Sequence, residues 1–184
     1  MSDSNNAKFV AIVGSLRASS VNAATARAAV SVAPDGIDVE IVDITEIPLY
    51  DGDVHEAGMP ESVTALIESV GAADGLLIFS PEYNGSFPAV TKNVIDWLSV
   101  GPPSVSDGLA MGLVTTTPGP RGGSSLRDHF TFIMSFRPVR AFETLGIADY
   151  GDKLDDAGEI VHTGTHDELA DYVSRFAEFT RQPD

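Results

Sequence analysis

Short apolar runs alternate with helical patterns along this chain, and this alternation limits the folds open to it. Five segments read as strands, at residues 8–13, 38–44, 75–79, 109–115 and 139–145, of which 38–44 is an alternating pattern with β-branched residues. Continuous apolar runs of this length are typical of parallel strands covered on both faces. Helical spacing follows each strand, at residues 20–32, 60–70 and 88–98, around Leu126 to Met134, and from Thr165 onward. The pattern predicts an α/β fold, a three-layer sandwich around a five-stranded parallel sheet, and we expect the strand order 2-1-3-4-5.

The helix ends carry local signals of their own. Ser124 or Ser125 is expected to cap the fourth helix. The sequence Thr165-His166-Asp167-Glu168 has the form of a capping box, and it predicts the start of the last helix. The segments 47–58 and 146–164 read as long loops, which in compact domains are often functional or lie at an interface.

Length and composition indicate one globular domain over residues 1–184, with flexible ends at 1–7 and 181–184. The chain is 43% hydrophobic and 21% charged, and it has no cysteine, which excludes disulfides and thiol nucleophiles. No stretch approaches the ~20 apolar residues that span a bilayer, and the polar N-terminus has no signal-peptide core. We therefore expect a cytoplasmic protein that does not enter membranes.

The net charge is −16, from 11 basic and 27 acidic residues. Such a chain is unsuited to nucleic acids or anionic membranes, which both require a basic surface. A phosphate ligand would need a local concentration of positive potential. Arg17, beside a predicted helix start, is the obvious place for it.

The loop after the first strand has the chemistry to hold a phosphate. It runs from Gly14 to Asn22 and carries the donors Ser15, Arg17, Ser19, Ser20 and Asn22. A helix that starts near Ser20 adds unpaired N–H groups and a favourable dipole, and an arginine adds a permanent, forked charge. The spacing matches neither a dinucleotide fingerprint nor a P-loop. An ordinary serine-rich helix cap with an incidental arginine would give the same residues.

The loop after the third strand can support a flat ring. It reads Ser80-Pro81-Glu82-Tyr83-Asn84-Gly85. Pro81 stiffens the turn, Tyr83 offers an aromatic edge, and main-chain N–H groups near Asn84 and Gly85 could bond the oxygens and N5 of a flavin. Gly85 permits close approach of the backbone. The alternative is an ordinary turn between a strand and a helix.

A third loop follows the fourth strand. Thr115, Thr116, Thr117 and Gly119 are expected to line the far edge of the ring, and Arg121 either meets the phosphates of a pyridine nucleotide or is simply solvated. Parallel sheets bind ligands where the carboxyl ends of strands meet. The three loops therefore point to a phosphorylated, planar cofactor, and flavin mononucleotide (FMN) fits best.

Two strings in the chain, GSLRASSVN and SPEYNGSFPAVTKNVIDWLS, resemble the NADPH-dependent FMN reductase family of flavodoxin-like proteins. That family includes quinone, chromate and azo reductases. The resemblance implies that Ser15, Arg17, Ser20 and Asn22 hold the phosphate, and that Pro81, Glu82, Tyr83, Asn84 and Gly85 hold the ring. It also implies NAD(P)H as a second cofactor and a homodimer or homotetramer. The third loop departs from the family, because it is rich in threonine where relatives are often rich in serine.

Two functions from different classes follow. The first is an enzyme that passes hydride from NAD(P)H through bound FMN to a quinone, azo compound, free flavin or metal oxyanion. It needs no catalytic side chain, because the flavin N5 does the chemistry. The second is an FMN-binding electron carrier or regulatory flavoprotein without NAD(P)H turnover, and a nucleotide-binding protein without flavin is a further alternative. Glu82 is interpreted as a structural acceptor, and the four histidines lack metal-ligand spacing, so no metal site is expected.

Overall fold

All five strands lie parallel in one sheet. A computed structural model describes residues 6–100 and 105–182. The strands are β1 (Ala7–Val13), β2 (Ile37–Ile41), β3 (Gly75–Ser80), β4 (Ala110–Thr116) and β5 (Arg140–Ile147). Their order across the sheet is β2-β1-β3-β4-β5, and each neighbouring pair is parallel. The predicted fold class and strand order are confirmed.

Helices cover both faces of the sheet. They are α1 (Val21–Ser31), α2 (Gly52–Ala57), α3 (Glu61–Gly71), α4 (Ala89–Leu98), α5 (Ser124–Met134) and α6 (Thr163–Thr180), with a short 3-10 helix at Tyr150–Asp152. The helix α2 and the 3-10 helix lie in segments that were predicted as loops. Within residues 6–100 and 105–182, no helix is both long enough and apolar enough to cross a membrane.

Several strands and helices begin or end at residues other than those predicted. Ala7 is the buried first residue of β1 rather than part of a flexible tail, and β2 stops at Ile41, three residues early. The predicted cap of α5 is wrong, because left-handed Gly123 (φ 71°) holds that position. The predicted start of α6 is also wrong: His162 caps it, and its Nδ1 accepts the Thr165 N–H at 3.1 Å. Of the proposed tails, residues 1–5 and 183–184 lie outside the described residues, whereas Arg181 is the C-cap of α6.

The side chains of β1 show why helices cover both faces of the sheet. Phe9 and Ala11 face the layer of α1 and α6, whereas Val10 and Ile12 face the layer of α3, α4 and α5. All four are fully buried. Burying a large apolar side chain stabilises the fold by about 1.5–3 kcal/mol, so both layers are fixed to the sheet from the same strand.

Tyr172 of α6 is a large polar side chain buried in the layer of α1 and α6. Its hydroxyl donates to the Glu143 carbonyl at 2.9 Å and lies 3.4 Å from the Leu113 carbonyl. Burial raises the pKa of Tyr172 above its ordinary value, because the phenolate would lose its hydration there. The hydroxyl thus joins α6 to the main chain of β4 and β5 while remaining protonated.

The helix α4 anchors the segment that precedes α2. Both Asn93 Nδ2 and Trp97 Nε1 donate to the Pro48 carbonyl at 2.8 Å. Asn93 Oδ1 accepts the Tyr50 N–H at 2.7 Å. These bonds hold an otherwise irregular segment against the helix, although Leu49 between them is 75% exposed.

Candidate functional site

The carboxyl ends of β1, β3 and β4 enclose a cleft of about 310 Å³. Residues from all three predicted loops line it: Ser15, Arg17, Ser19, Ser20, Asn22, Pro81, Glu82, Tyr83 and Thr117. Val21, Thr116, Pro118 and Tyr150 complete the lining. The strand order places β1 beside β3 and β3 beside β4, which is why loops far apart in sequence meet at this edge.

The N-terminus of α1 forms one end of the cleft. Ser20 is its N-cap, and the Ser20 hydroxyl oxygen accepts the Ala23 N–H at 3.2 Å. The N–H groups of Val21 and Asn22 have no acceptor among the residues that the structure describes. Unpaired N–H groups and the helix dipole together favour an anion at this position.

Arg17 supplies the permanent charge at this end. Its side chain is exposed, and its Nη2 lies 3.5 Å from the Ser19 hydroxyl, at the limit of a hydrogen bond. Arg17 forms no ion pair within the described part of the chain. A free guanidinium beside serine hydroxyls on an acidic protein is a strong local attractor for a phosphate.

Asn22 holds two elements of the cleft together. Its Nδ2 donates to the Thr116 carbonyl and its Oδ1 accepts the Thr116 N–H, both at 3.1 Å. Both residues are buried. The Thr25 hydroxyl reaches the Thr116 hydroxyl at 2.9 Å and adds a second link from α1 to β4. The sequence prediction gave Asn22 only a phosphate role, whereas most of its hydrogen-bonding capacity fixes α1 against β4.

The turn after β3 has a defined geometry. Tyr83 and Ser86 exchange two main-chain hydrogen bonds of 3.0 Å, and the central residues Asn84 (φ 52°) and Gly85 (φ 74°) are both left-handed. An Asn-Gly pair is the usual solution for such a two-residue turn. The N–H groups of Asn84 and Gly85 have no acceptor in the described residues, although neither residue lines the cleft. Tyr83 lies at the cleft edge and is 47% exposed.

Glu82 connects this turn to α5. Its Oε2 accepts the Leu126 N–H at 2.9 Å, so a side chain from another loop takes the place of the missing cap of α5. The Ser86 hydroxyl lies 2.8 Å from His129 Nδ1, which gives the turn a second attachment to the same helix. The geometry agrees with a structural role for the Glu82 carboxylate.

The third loop reaches the cleft only in part. Thr115 is fully buried, and its hydroxyl donates to the Gly122 carbonyl at 2.6 Å, so it does not line the cleft as predicted. Gly119 also lies outside, where its carbonyl accepts the Asp149 N–H at 3.3 Å. That bond brings the loop after β5 to the cleft together with Tyr150, a lining residue that no local sequence signal identified.

A second cavity of about 430 Å³ adjoins the cleft. It shares Ser15, Arg17 and Tyr83 with the cleft, and the rest of its lining is Gly14, Leu16, Pro88, Ala89 and Val90. The lining is largely apolar, as in pockets that bind flat organic molecules.

The residues present fit FMN. Free N–H groups, hydroxyls and a guanidinium meet at one end of the cleft, as a phosphate requires. The exposed Tyr83 lies at the other end, and the turn that follows it has two main-chain N–H groups without an acceptor in the described residues, as a flavin ring requires. Among the described residues, no three metal-ligating side chains come together in a metal-binding arrangement.

Fold and site define an α/β protein that binds a flat, phosphorylated cofactor at the carboxyl edge of a parallel sheet. The chain belongs to the NADPH-dependent FMN reductase family, whose sequence profile matches residues 7–146. It is 35% identical to a quinone reductase of Escherichia coli over 184 residues, which is 97% of this chain and 98% of the relative. It is 37% identical to an NAD(P)H-dependent FMN reductase of Pseudomonas aeruginosa over 136 residues, 74% of each chain.

Solved structures show the same fold. The flavoenzyme NAD(P)H:(acceptor) oxidoreductase FerB of Paracoccus denitrificans superposes with a TM-score of 0.84 at 23% identity, over 95% of this chain and 97% of that one. An FMN-dependent NADH-azoreductase of Bacillus anthracis, solved in complex with FMN, gives a TM-score of 0.62 at 15% identity, over 93% and 99%. The predicted family, the flavin and nicotinamide cofactors and the oxidoreductase class are confirmed.

Proposed function

We propose that this chain oxidises NAD(P)H through bound FMN and passes the electrons to a quinone, azo compound, free flavin or metal oxyanion. One observation carries the proposal. The cleft, which is rich in hydrogen-bond donors for a phosphate, adjoins the second, largely apolar cavity, which we call the groove, and the two share Arg17 and Tyr83. The cleft would hold the cofactor, and the groove would admit the nicotinamide and the acceptor in turn. An apolar groove favours a flat quinone over a hydrated oxyanion.

Each end of the cleft has a separate task. Arg17, the neighbouring hydroxyls and the first N–H groups of α1 bind the phosphate. The N–H groups of Asn84 and Gly85 bind the polar edge of the ring, and Tyr83 packs beside it. Bound FMN supplies the redox chemistry, since its N5 accepts and returns hydride. Tyr83, which lines both the cleft and the groove, would orient the ring between them.

The proposal includes self-association and a cytoplasmic location. Phe132 and Phe136 of the α5 region are 61% and 73% exposed, and their rings are 5.0 Å apart. Adjacent exposed aromatic rings are typical of protein interfaces. Residues 124–137 carry two arginines against the single acidic residue Asp128, so the acidic excess that repels two copies is absent from this segment.

The oligomer is tested by sedimentation velocity. Replacing Phe132 and Phe136 together by serine is expected to release monomers, whereas Leu49→Ser, at an equally exposed apolar position, leaves the assembly intact. An oligomer that survives the double replacement contradicts this interface.

Turnover tests the activity. Purified protein is expected to carry oxidised flavin and to oxidise NADH or NADPH over many turnovers when a quinone is supplied as acceptor. Bound flavin without NAD(P)H oxidation would instead indicate an electron carrier or regulatory flavoprotein.

A pair of arginine variants tests the phosphate site. Arg17→Ala should weaken FMN binding by roughly 10- to 150-fold, because it removes a charge-assisted hydrogen bond. Arg121→Ala is the matched control, since this arginine does not line the cleft. Equal FMN retention by the two variants would count against the phosphate site at Arg17.

A further inference from the structure

Tyr150 closes the cleft on the side of α1. It belongs to the 3-10 helix after β5 and lines the cleft with Pro118 and the first residues of α1. The helices α1 and α6 cover one face of the sheet, and α4 and α5 cover the other. Leu154 and Ile160, which follow Tyr150 in the same segment, pack in the layer of α1 and α6, so Tyr150 enters the cleft from the side of α1, where the phosphate-binding groups lie.

Tyr150 is held in place by its neighbours. Asp149 before it is left-handed (φ 47°, ψ 54°), and its N–H donates to the Gly119 carbonyl. Lys153 Nζ donates to the carbonyls of Ala148 and Asp149 at 2.9 and 3.1 Å. A left-handed residue other than glycine persists only where its surroundings determine it. Here the Lys153 ammonium group fixes the carbonyls of Ala148 and Asp149.

The same segment is fastened to α1. Leu154 and Ile160 pair as a short bridge, which brings Glu159 to Arg27 of α1 in a two-bond ion pair of 2.5 and 3.1 Å. A bidentate pair of this kind adds geometric specificity. The segment that carries Tyr150 is thus fixed to α1, the helix whose N-terminus faces the cleft.

We propose that the Tyr150 ring limits the length of the flavin nucleotide that the cleft accepts. The inference rests on the proposed binding of FMN. FMN ends at its phosphate, whereas FAD continues from this phosphate into a second phosphate, a ribose and an adenine. The continuation would have to leave through the end that Tyr150 occupies. A steric block against the longer competitor is a common source of specificity.

A competition experiment tests this role. Holoprotein is incubated with equal concentrations of FMN and FAD, freed of unbound nucleotide by gel filtration, and the retained flavins are released by heat and quantified. Tyr150→Ala is expected to lower the retained FMN:FAD ratio by about tenfold or more, whereas Tyr150→Phe, which keeps the ring, preserves it. Tyr50→Ala, which removes a tyrosine outside the cleft, is the control for general effects.

Two results overturn the inference. The first is an unchanged ratio in Tyr150→Ala. The second is an equal fall in Tyr150→Phe, which would assign the preference to the hydroxyl. Failure of the proposed FMN binding has a different signature, because the unaltered protein would then retain neither flavin.

Discussion

Replacing Asn22 by alanine should destabilise the protein even when no flavin is present. The Asn22 amide makes two bonds of 3.1 Å to the main chain of Thr116, and both residues are buried. The variant leaves one N–H and one C=O of Thr116 without these partners. If Asn22 only bound the phosphate, the substitution would not change the free energy of unfolding of the flavin-free protein.

The magnitude follows from the two orphaned groups. An unsatisfied buried polar group costs about 1–3 kcal/mol, and water from the adjoining cleft can reach the vacated space, which favours the lower half of that range. We expect a loss of about 3 kcal/mol in the free energy of unfolding. For a domain of this size, that loss lowers Tm by about 6–12 °C.

Urea unfolding of flavin-free protein measures the effect. Asn6→Ala, at an exposed position just before β1, is the matched control and should change the free energy of unfolding by less than about 0.5 kcal/mol. An Asn22→Ala variant as stable as this control would refute the structural role of the amide.

Three further changes have expected outcomes. Gly14→Ala should lower the free energy of unfolding in urea by about 1–3 kcal/mol, because its Cβ would lie 2.2 Å from Thr91 Oγ1 and 2.7 Å from Ser80 Oγ. Burial keeps the Tyr172 phenol protonated in the folded state while the unfolded chain releases that proton above about pH 10. Stability should therefore fall above that pH by about 1.4 kcal/mol per unit more than in Tyr172→Phe, followed by urea titration at several pH values. Glu82→Ala should cost about 1 kcal/mol in the same assay as the α5 cap is lost, and Glu82→Gln less, because the amide oxygen still accepts.

Each change has an internal comparison. Gly119→Ala should leave the free energy of unfolding unchanged, because nothing lies within 4 Å of the added Cβ. A Gly14→Ala variant as stable as Gly119→Ala would contradict the packing argument. A Tyr172→Phe variant with the same high-pH slope as the unaltered protein would contradict the role of the buried phenol. The cap assignment fails if both Glu82 variants unfold like the unaltered protein.

The sheet was predictable because its strands carry a strong local signal. β3 is buried at every position, and its uninterrupted apolar run could be read without tertiary information. The strand order followed from handedness rules and from two loops whose chemistry requires adjacency. Most of the cleft lining followed as well, since it sits on the loops after the three central strands.

The features that the sequence did not predict either leave no apolar pattern or depend on residues distant in the chain. α2 has no buried residue, so it leaves no apolar periodicity to detect. The cap of α5 comes from Glu82, about forty positions earlier in the chain, and no window around Ser124 contains it. Thr115 and Thr117 look equivalent in sequence, yet Gly122 binds the hydroxyl of the first and leaves the second in the cleft. Tyr150 lies on a segment that is held near the cleft by tertiary bonds such as that from Asp149 to Gly119.

The two ends of the cleft rest on opposite layers of the sandwich, with α1 behind one and α4 and α5 behind the other. Substitutions in one layer can consequently be tolerated without repacking the second. Anchoring of the phosphate and support of the ring are thereby separable traits, and the latter can diversify among descendants of this scaffold while the former is inherited unchanged.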